Sequence, residues 1–100
     1  MSTSAIRGLL QDGERVLAED VVEGANGRNT PLVVTSRAFY LTIGGRFTRF
    51  AYSKVRAATF DTHDIFIALE GQAVRLRYRP STDRSEALQA LRRQVALARL

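Results

Sequence analysis

The sequence contains no cysteine, no tryptophan, one histidine and two prolines. Without cysteine, the chain has no disulfide, no thiolate metal ligand and no cysteine nucleophile. No apolar run approaches the roughly 20 residues that a membrane-spanning helix needs. The first residues also lack the basic and apolar stretches of a secretory signal. These absences predict a soluble, cytoplasmic protein, with peripheral attachment to the inner face of the membrane as the alternative location.

The remaining composition is that of a folded chain. Hydrophobic residues make up 45% of the 100 residues and charged residues 25%. A chain of this size buries enough surface for one core, and no linker, repeat or low-complexity stretch divides it. We therefore expect residues 1–100 to form a single domain.

The charge is strongly basic, with a formal net charge of +5, and 14 of the 15 cationic residues are arginine. Such a balance favours phosphate, nucleic acid or an anionic membrane face as partner. The alternative is that arginine serves throughout as an ordinary solvated cation.

Alternating apolar and polar residues, separated by turn residues, predict a β-rich chain. The clearest alternation is in 73–79, where Val74, Leu76 and Tyr78 face one side of the sheet and arginines the other. Gly44 and Gly45 predict a tight hairpin, because glycine reaches the positive φ angles of such turns. The predicted strands are 15–22, 31–35, 37–43, 46–52, 55–60, 65–69 and 73–79.

Beyond Pro80 the spacing becomes helical. Asp83 and Glu86 are spaced as a capping box, and an apolar stripe formed by Leu88, Leu91, Val95 and Ala98 predicts a helix over 83–99. Leu97 and Leu100 lie beside the stripe and are candidates for contact with a partner. A short helical turn is also expected over about 4–11.

Three segments resemble the bacterial pleckstrin-homology (PH)-like and GRAM-type domains. Residues 10–16, LQDGERV, are similar to that group's opening Gly-Glu-x-Val. Residues 32–40, LVVTSRAFY, resemble its LxVTxxRLxx hairpin, and residues 50–55, FAYSKV, resemble its I-P-Y-x-x-I strand. The order of seven strands and a terminal helix is also that of the PH superfold.

This resemblance implies a seven-stranded open barrel of two near-orthogonal antiparallel sheets, capped by the C-terminal helix. It does not fix a function, because the superfold includes lipid binders, peptide binders and assembly modules. Phosphoinositide-binding members carry basic residues in strands one and two, whereas this chain has Glu19, Asp20 and Glu23 there and only Arg28 in the loop. We therefore expect the inositol-phosphate site to be absent.

Catalytic and metal-binding patterns are scarce in the sequence. His63 with Asp61 and Asp64 has the right donors for a metal, but three neighbours in a turn rarely converge on one ion, and a hydrogen-bonded turn explains them better. The sequence has no Gly-x-Ser-x-Gly elbow and no glycine-rich phosphate loop. We expect no enzymatic activity, no cofactor, no metal and no small-molecule substrate.

Arg28, in the loop after the first strand, and two groups of cations are candidates for partner binding. Arg75, Arg77 and Arg79 share one face of the last strand and are spaced to hold an acidic ligand. The alternative is a solvated sheet face whose arginines pair with carboxylates such as Glu70 or Glu19.

The second group lies near the glycine hairpin, where Arg46 and Arg49 flank Phe47. An exposed phenylalanine between two arginines is suited to a membrane surface. Phe47 is equally compatible with a place in the core.

Three functions follow from these patterns. The first is a non-catalytic binding or assembly module that contacts itself or another protein through a sheet edge or the terminal helix. Strand two is the expected edge, because residues 32–35 carry no charge that would prevent strand addition. The second is an anionic-lipid binder that uses Arg46, Phe47 and Arg49. Nucleic-acid binding ranks last, because aromatic residues do not alternate with cations on one outward face.

Overall fold

The computed structural model describes residues 8, 10–24, 27–43, 45–61, 64–77 and 86–98. They include seven strands, a 3₁₀ turn between the fourth and fifth strands and an α-helix, so the predicted mainly β chain with a C-terminal helix is confirmed. The elements, in chain order, are β1 (Val16–Gly24), β2 (Asn29–Thr35), β3 (Ala38–Ile43), β4 (Arg46–Ala51), a 3₁₀ turn (Tyr52–Lys54), β5 (Val55–Phe60), β6 (Asp64–Leu69), β7 (Gln72–Arg77) and α1 (Glu86–Ala98).

The strands form one antiparallel sheet in the order β4-β3-β2-β1-β7-β6-β5. The expectation of two sheets is corrected by β1, which is nine residues long. It pairs with β2 from Val16 to Glu23, and with β7 only at Glu23 and Gly24. Because β1 joins both halves, the hydrogen-bonded ladder is continuous.

The main core lies between one face of the sheet and α1. Phe39 stacks on Phe50 with ring centroids 5.0 Å apart, and every strand contributes apolar side chains. Helix α1 adds Ala87, Leu88, Ala90, Leu91 and Val95, all of them buried. Because α1 lies against β1, β2 and β5, it joins strands that are distant in the sheet order.

A second, smaller cluster lies on the opposite face of β2 and β3. Val33, Ala38 and Tyr40 are buried there, and Leu10, Val16 and Phe47 pack against them. The segment before β1 therefore covers the outer face of the first half of the sheet.

The helical stripe is confirmed at Leu88, Leu91 and Val95 but not at Ala98, which is exposed because the last turn of α1 borders an open cleft. Leu97 is 61% exposed, as its position beside the stripe predicts. Asp83 and Leu100, like most of the predicted turn at 4–11, lie outside the described residues. No helix in the described ranges is long and apolar enough to cross a membrane.

The expectation that β2 forms an exposed edge is wrong, because β2 lies between β1 and β3. Its uncharged residues Leu32, Val33 and Val34 are buried, which explains their composition. The outermost strands are β4 and β5, and each pairs on one side only among the described residues. Arg46 and Arg49 on β4 and Arg56 on β5 place charge on these edges.

The hairpin predicted at the two glycines joins β3 to β4, with Ile43 paired to Arg46. Gly45 has a φ of +81°, a conformation that side chains with a Cβ rarely adopt. This turn fixes the register that places Arg49 opposite Tyr40.

Replacing Leu91 with alanine tests the packing of α1. Leu91 is fully buried, so L91A should lower the free energy of unfolding by about 2–5 kcal/mol, measured by urea denaturation. Gln89 is exposed on the same helix, and Q89A is the matched control, with little expected change. If the two variants unfold at the same urea concentration, α1 does not depend on this contact.

Candidate functional site

A buried carboxylate, that of Glu14, lies where the segment before β1 meets the outer face of the sheet. The Gln11 N–H donates to Glu14 Oε1 at 2.9 Å, and the Glu14 N–H donates to the Gln11 carbonyl at 3.0 Å. The Thr35 hydroxyl, at the end of β2, also bonds to the carboxylate. The side chain of Glu14 is completely buried.

Two residues of β3 and β4 complete the surroundings of this carboxylate. The Tyr40 hydroxyl lies 3.3 Å from both Glu14 oxygens and accepts a hydrogen bond from Arg49 Nε at 3.1 Å. Arg49 Nη2 is 3.6 Å from Glu14 Oε1. The carboxylate is thus held by hydrogen bonds and by one positive charge, which a buried anion requires.

The turn between β2 and β3 depends on the same threonine. Thr35 Oγ1 accepts the N–H groups of Arg37 at 3.2 Å and Ala38 at 3.0 Å. The Tyr52 hydroxyl donates to the Thr35 carbonyl at 2.8 Å, and the Tyr52 N–H donates to the Arg37 carbonyl at 3.2 Å. Glu14, Thr35 and Tyr52 come from the three segments that resemble PH-like domains, and they meet here. We call these three residues, together with Gln11, Tyr40 and Arg49, the Glu14 junction.

Burial, hydrogen bonds and charge at the Glu14 junction act together to lower the pKa of Glu14 and to raise that of Tyr40. Burial alone would raise the pKa of Glu14, but hydrogen bonds from Gln11, Thr35 and Tyr40 and the charge of Arg49 outweigh it and lower that pKa. Burial, together with the neighbouring Glu14 charge, raises the pKa of Tyr40 despite its bond from Arg49. At neutral pH the junction therefore holds an ionised carboxylate beside a protonated phenol. Their contacts stabilise the packing of the segment before β1 against β2, β3 and β4.

Beside the Glu14 junction, a cleft of about 660 Å³ opens at the C-terminal end of α1. We call it the helix-end cleft. Its walls come from the β2–β3 turn, the end of β4, the 3₁₀ turn and the last turn of α1. The lining residues are Gln11, Ser36, Arg37, Arg49, Ala51, Tyr52, Ser53, Lys54, Gln94, Leu97 and Ala98.

A second cleft, of about 630 Å³, lies between the start of β2, the β3–β4 hairpin and β7. We call it the hairpin cleft. It contains Arg28 and Arg75 and no acidic residue among its described lining. Glu19 and Asp20 instead border a separate groove of about 180 Å³ between β1 and β2.

The arginine ladder of β7 has local partners. Arg77 Nε lies 3.9 Å from Asp64 Oδ1, and the Arg75 guanidinium lies 5.9 Å from the centre of the Phe66 ring. The partner of Arg77 is Asp64 rather than the predicted Glu70 or Glu19, because β6 pairs with β7 and places Asp64 opposite Arg77. Glu70 pairs with Arg56 at 3.9 Å instead. Arg79 lies outside the described residues.

The three residues expected to form a basic-aromatic tip differ in exposure and in contacts. Phe47 is half-buried against the second cluster, and Arg49 is turned toward Glu14 and Tyr40. Arg46 is exposed, and its hairpin partner Ile43 is the exposed apolar residue there, with 54% of its surface accessible. The exposure of Ile43 was not predicted, because the alternating pattern of residues 37–43 shows only that a strand ends there.

The predicted turn between β5 and β6 is closed by a hydrogen bond from the Asp61 N–H to the Asp64 carbonyl at 2.8 Å. His63 lies outside the described residues. In the described part of the chain, no three histidine, aspartate or glutamate side chains form a group that could hold a metal ion.

No protein-family model matches the chain, and no curated protein is significantly similar to it. Sequence reasoning missed Glu14 and Tyr40 as a pair, and missed Arg37 and Lys54 as neighbours in one cleft. The only available signal was that Glu14, Arg37 and Lys54 fall within the three quoted segments.

The Glu14 junction predicts a pH-dependent stability. The folded pKa of Glu14 lies below its ordinary value of 4.5, so its stabilising effect is complete above pH 4.5 and is lost as the pH falls through the lower, folded pKa. Glu14→Gln should cost about 1–3 kcal/mol of unfolding free energy at pH 7 and reduce the loss of stability in acid. Urea denaturation between pH 7 and pH 3 measures both effects.

The matched control is Glu70→Gln, because Glu70 forms an exposed ion pair with Arg56 and such pairs contribute little. Equal unfolding curves for the two variants at pH 7 would contradict the structural role of Glu14.

Proposed function

We propose that this chain is a non-catalytic binding module of PH-like fold that acts through contact with a protein at the end of α1. The PH-like fold, an open barrel capped by the helix, is supported by the order of its elements and by the packing of α1 against β1, β2 and β5. The meeting of the three PH-like segments at the Glu14 junction also supports the proposal, because one residue of each segment takes part in the contacts that hold the junction together.

The observation that carries the proposal is the exposure of Leu97 on the border of the helix-end cleft. With 61% of its surface accessible, it is the most exposed large apolar residue of the described chain. An apolar side chain at the rim of a partly polar cleft is typical of a protein contact site. The non-catalytic part is supported by Glu14, whose buried carboxylate is fully engaged by its neighbours.

Binding to an anionic membrane surface is the second candidate. It is favoured by the exposed Ile43 at the hairpin tip, next to Arg46 and beside Arg28 and Arg75 of the hairpin cleft. An apolar tip surrounded by cations is suited to a lipid interface. This arrangement replaces Phe47 and Arg49 of the predicted tip with Ile43 and the two cleft arginines.

Sedimentation with vesicles separates the two functions. We expect the chain to stay in solution with vesicles of a neutral lipid mixed with an anionic one, because its contact site is a protein surface. Sedimentation with the anionic vesicles that is lost in the Ile43→Asp variant would contradict the proposal and establish the membrane candidate.

Light scattering at micromolar concentration and physiological salt then shows which form of protein contact occurs. Self-association through the end of α1 gives a multiple of 11.1 kDa, which Leu97→Ser should reduce to the single mass. Ala96→Ser, at the exposed neighbouring position, should leave the mass unchanged. A mass of 11.1 kDa in the wild type excludes self-association and leaves a different protein as the partner.

A further inference from the structure

The helix-end cleft carries charge of one sign. Arg37, Arg49 and Lys54 line it, and none of its described lining residues is acidic. The charge of Arg49 is partly balanced by the buried carboxylate of Glu14, which lies 3.6 Å from Arg49 Nη2. Arg37 and Lys54 are exposed, and neither forms an ion pair with another described residue. The outward charge of the cleft is therefore due mainly to Arg37 and Lys54.

The same cleft also has an apolar part. Leu97 and Ala98 of α1 line it, together with Ala51 and Tyr52. An inorganic anion would contact only the cations, so it would leave this apolar surface in water. A ligand with an apolar group next to its negative charge covers both, which favours an acidic peptide segment that contains a large apolar residue.

Amides and hydroxyls border the cations as well, from Gln11, Gln94, Ser36 and Ser53. A peptide backbone offers both N–H and C=O groups, and such side chains can donate to one and accept from the other. A planar lipid surface would cover the rim of a cleft of about 660 Å³ without filling it, whereas an extended segment can lie inside.

The two outward cations are held on fixed backbone. The Arg37 carbonyl accepts the Tyr52 N–H at 3.2 Å, and the Lys54 carbonyl accepts the Glu70 N–H at 3.0 Å. Gly13 packs so closely that an added Cβ would lie 3.3 Å from Arg37 Nη2. Since these turns are already ordered, a ligand would lose little free energy in arranging them.

We propose that the helix-end cleft binds an acidic, leucine-containing segment of a different protein, with carboxylates at Arg37 and Lys54 and an apolar side chain against Leu97. The inference rests on the proposed function and adds the chemistry of the partner. A second copy fits less well, because Glu19 and Asp20, described carboxylates that are adjacent in the sequence, lie on β1 and pair with Val33 and Leu32 of β2. A strand that is already hydrogen-bonded into the sheet cannot enter a cleft as a free segment.

The test uses three fluorescently labelled peptides and the full chain. The first peptide combines glutamates with two leucines, the second replaces each glutamate with glutamine, and the third replaces each leucine with serine. Fluorescence anisotropy should show saturable binding of the first peptide and at least about fivefold weaker binding of the other two. Raising the salt concentration should weaken binding, because the contact includes exposed charges.

Variants then locate the binding site. Arg37→Gln combined with Lys54→Gln should weaken binding of the first peptide about tenfold or more, because charge-assisted hydrogen bonds are lost. Arg56→Gln combined with Arg92→Gln removes the same charge away from the cleft and should change it less than about twofold. Leu97→Ser should weaken binding about fivefold, and Ala96→Ser should have little effect.

Four results would overturn the inference. Equal affinities for the two double variants would show that the peptide binds elsewhere, although protein binding itself would stand. Equal binding of the serine-substituted peptide, with competition by inorganic phosphate, would make the cleft a small-anion site. No peptide binding together with sedimentation on anionic vesicles would remove the proposed function as well. A multimeric mass lost in the Arg37→Gln, Lys54→Gln variant would make a second copy the occupant.

Discussion

The ionised carboxylate of Glu14 is the constraint on which the first half of the fold depends. A buried charge is costly unless it is paired and hydrogen-bonded, so Gln11, Thr35, Tyr40 and Arg49 must all keep their places around it. Those partners belong to the segment before β1 and to β2, β3 and β4. One charge thus couples the covering segment on the outer face to the register of three strands.

This coupling also shapes the candidate site. Thr35 holds the β2–β3 turn that carries Arg37, and Tyr52 ties that turn to the 3₁₀ turn that carries Lys54. The two outward cations of the helix-end cleft are therefore positioned from the same centre that stabilises the fold. Arg49 contributes to both, because its side chain lines the cleft while its guanidinium contacts Glu14.

Local sequence patterns predicted the strands and the helix, whereas the neighbours of each strand depend on long-range pairing that these patterns do not show. Alternation located the seven strands, and the stripe of Leu88, Leu91 and Val95 located the buried face of α1. The periodicity of apolar residues indicates which face of a strand is buried, but not which strand pairs with it. For that reason β2 was expected at an edge although it is central, and Asp64 was not foreseen as the partner of Arg77. The cleft of Arg37, Lys54 and Leu97 joins three distant segments, so no spacing in the sequence reveals it.

The net charge of +5 overstates how much of the surface is open to an anion. Arg56 and Arg77 have carboxylate partners, and Arg75 and Arg92 lie over aromatic rings. Most of these contacts are on exposed strands and contribute modestly to stability, but each gives an arginine a local use. The total charge alone would favour any polyanion equally. Arg37 and Lys54 form no ion pair with another described residue, and they lie on ordered turns beside the apolar surface of the helix-end cleft. A ligand for this cleft must therefore match both its shape and its charge.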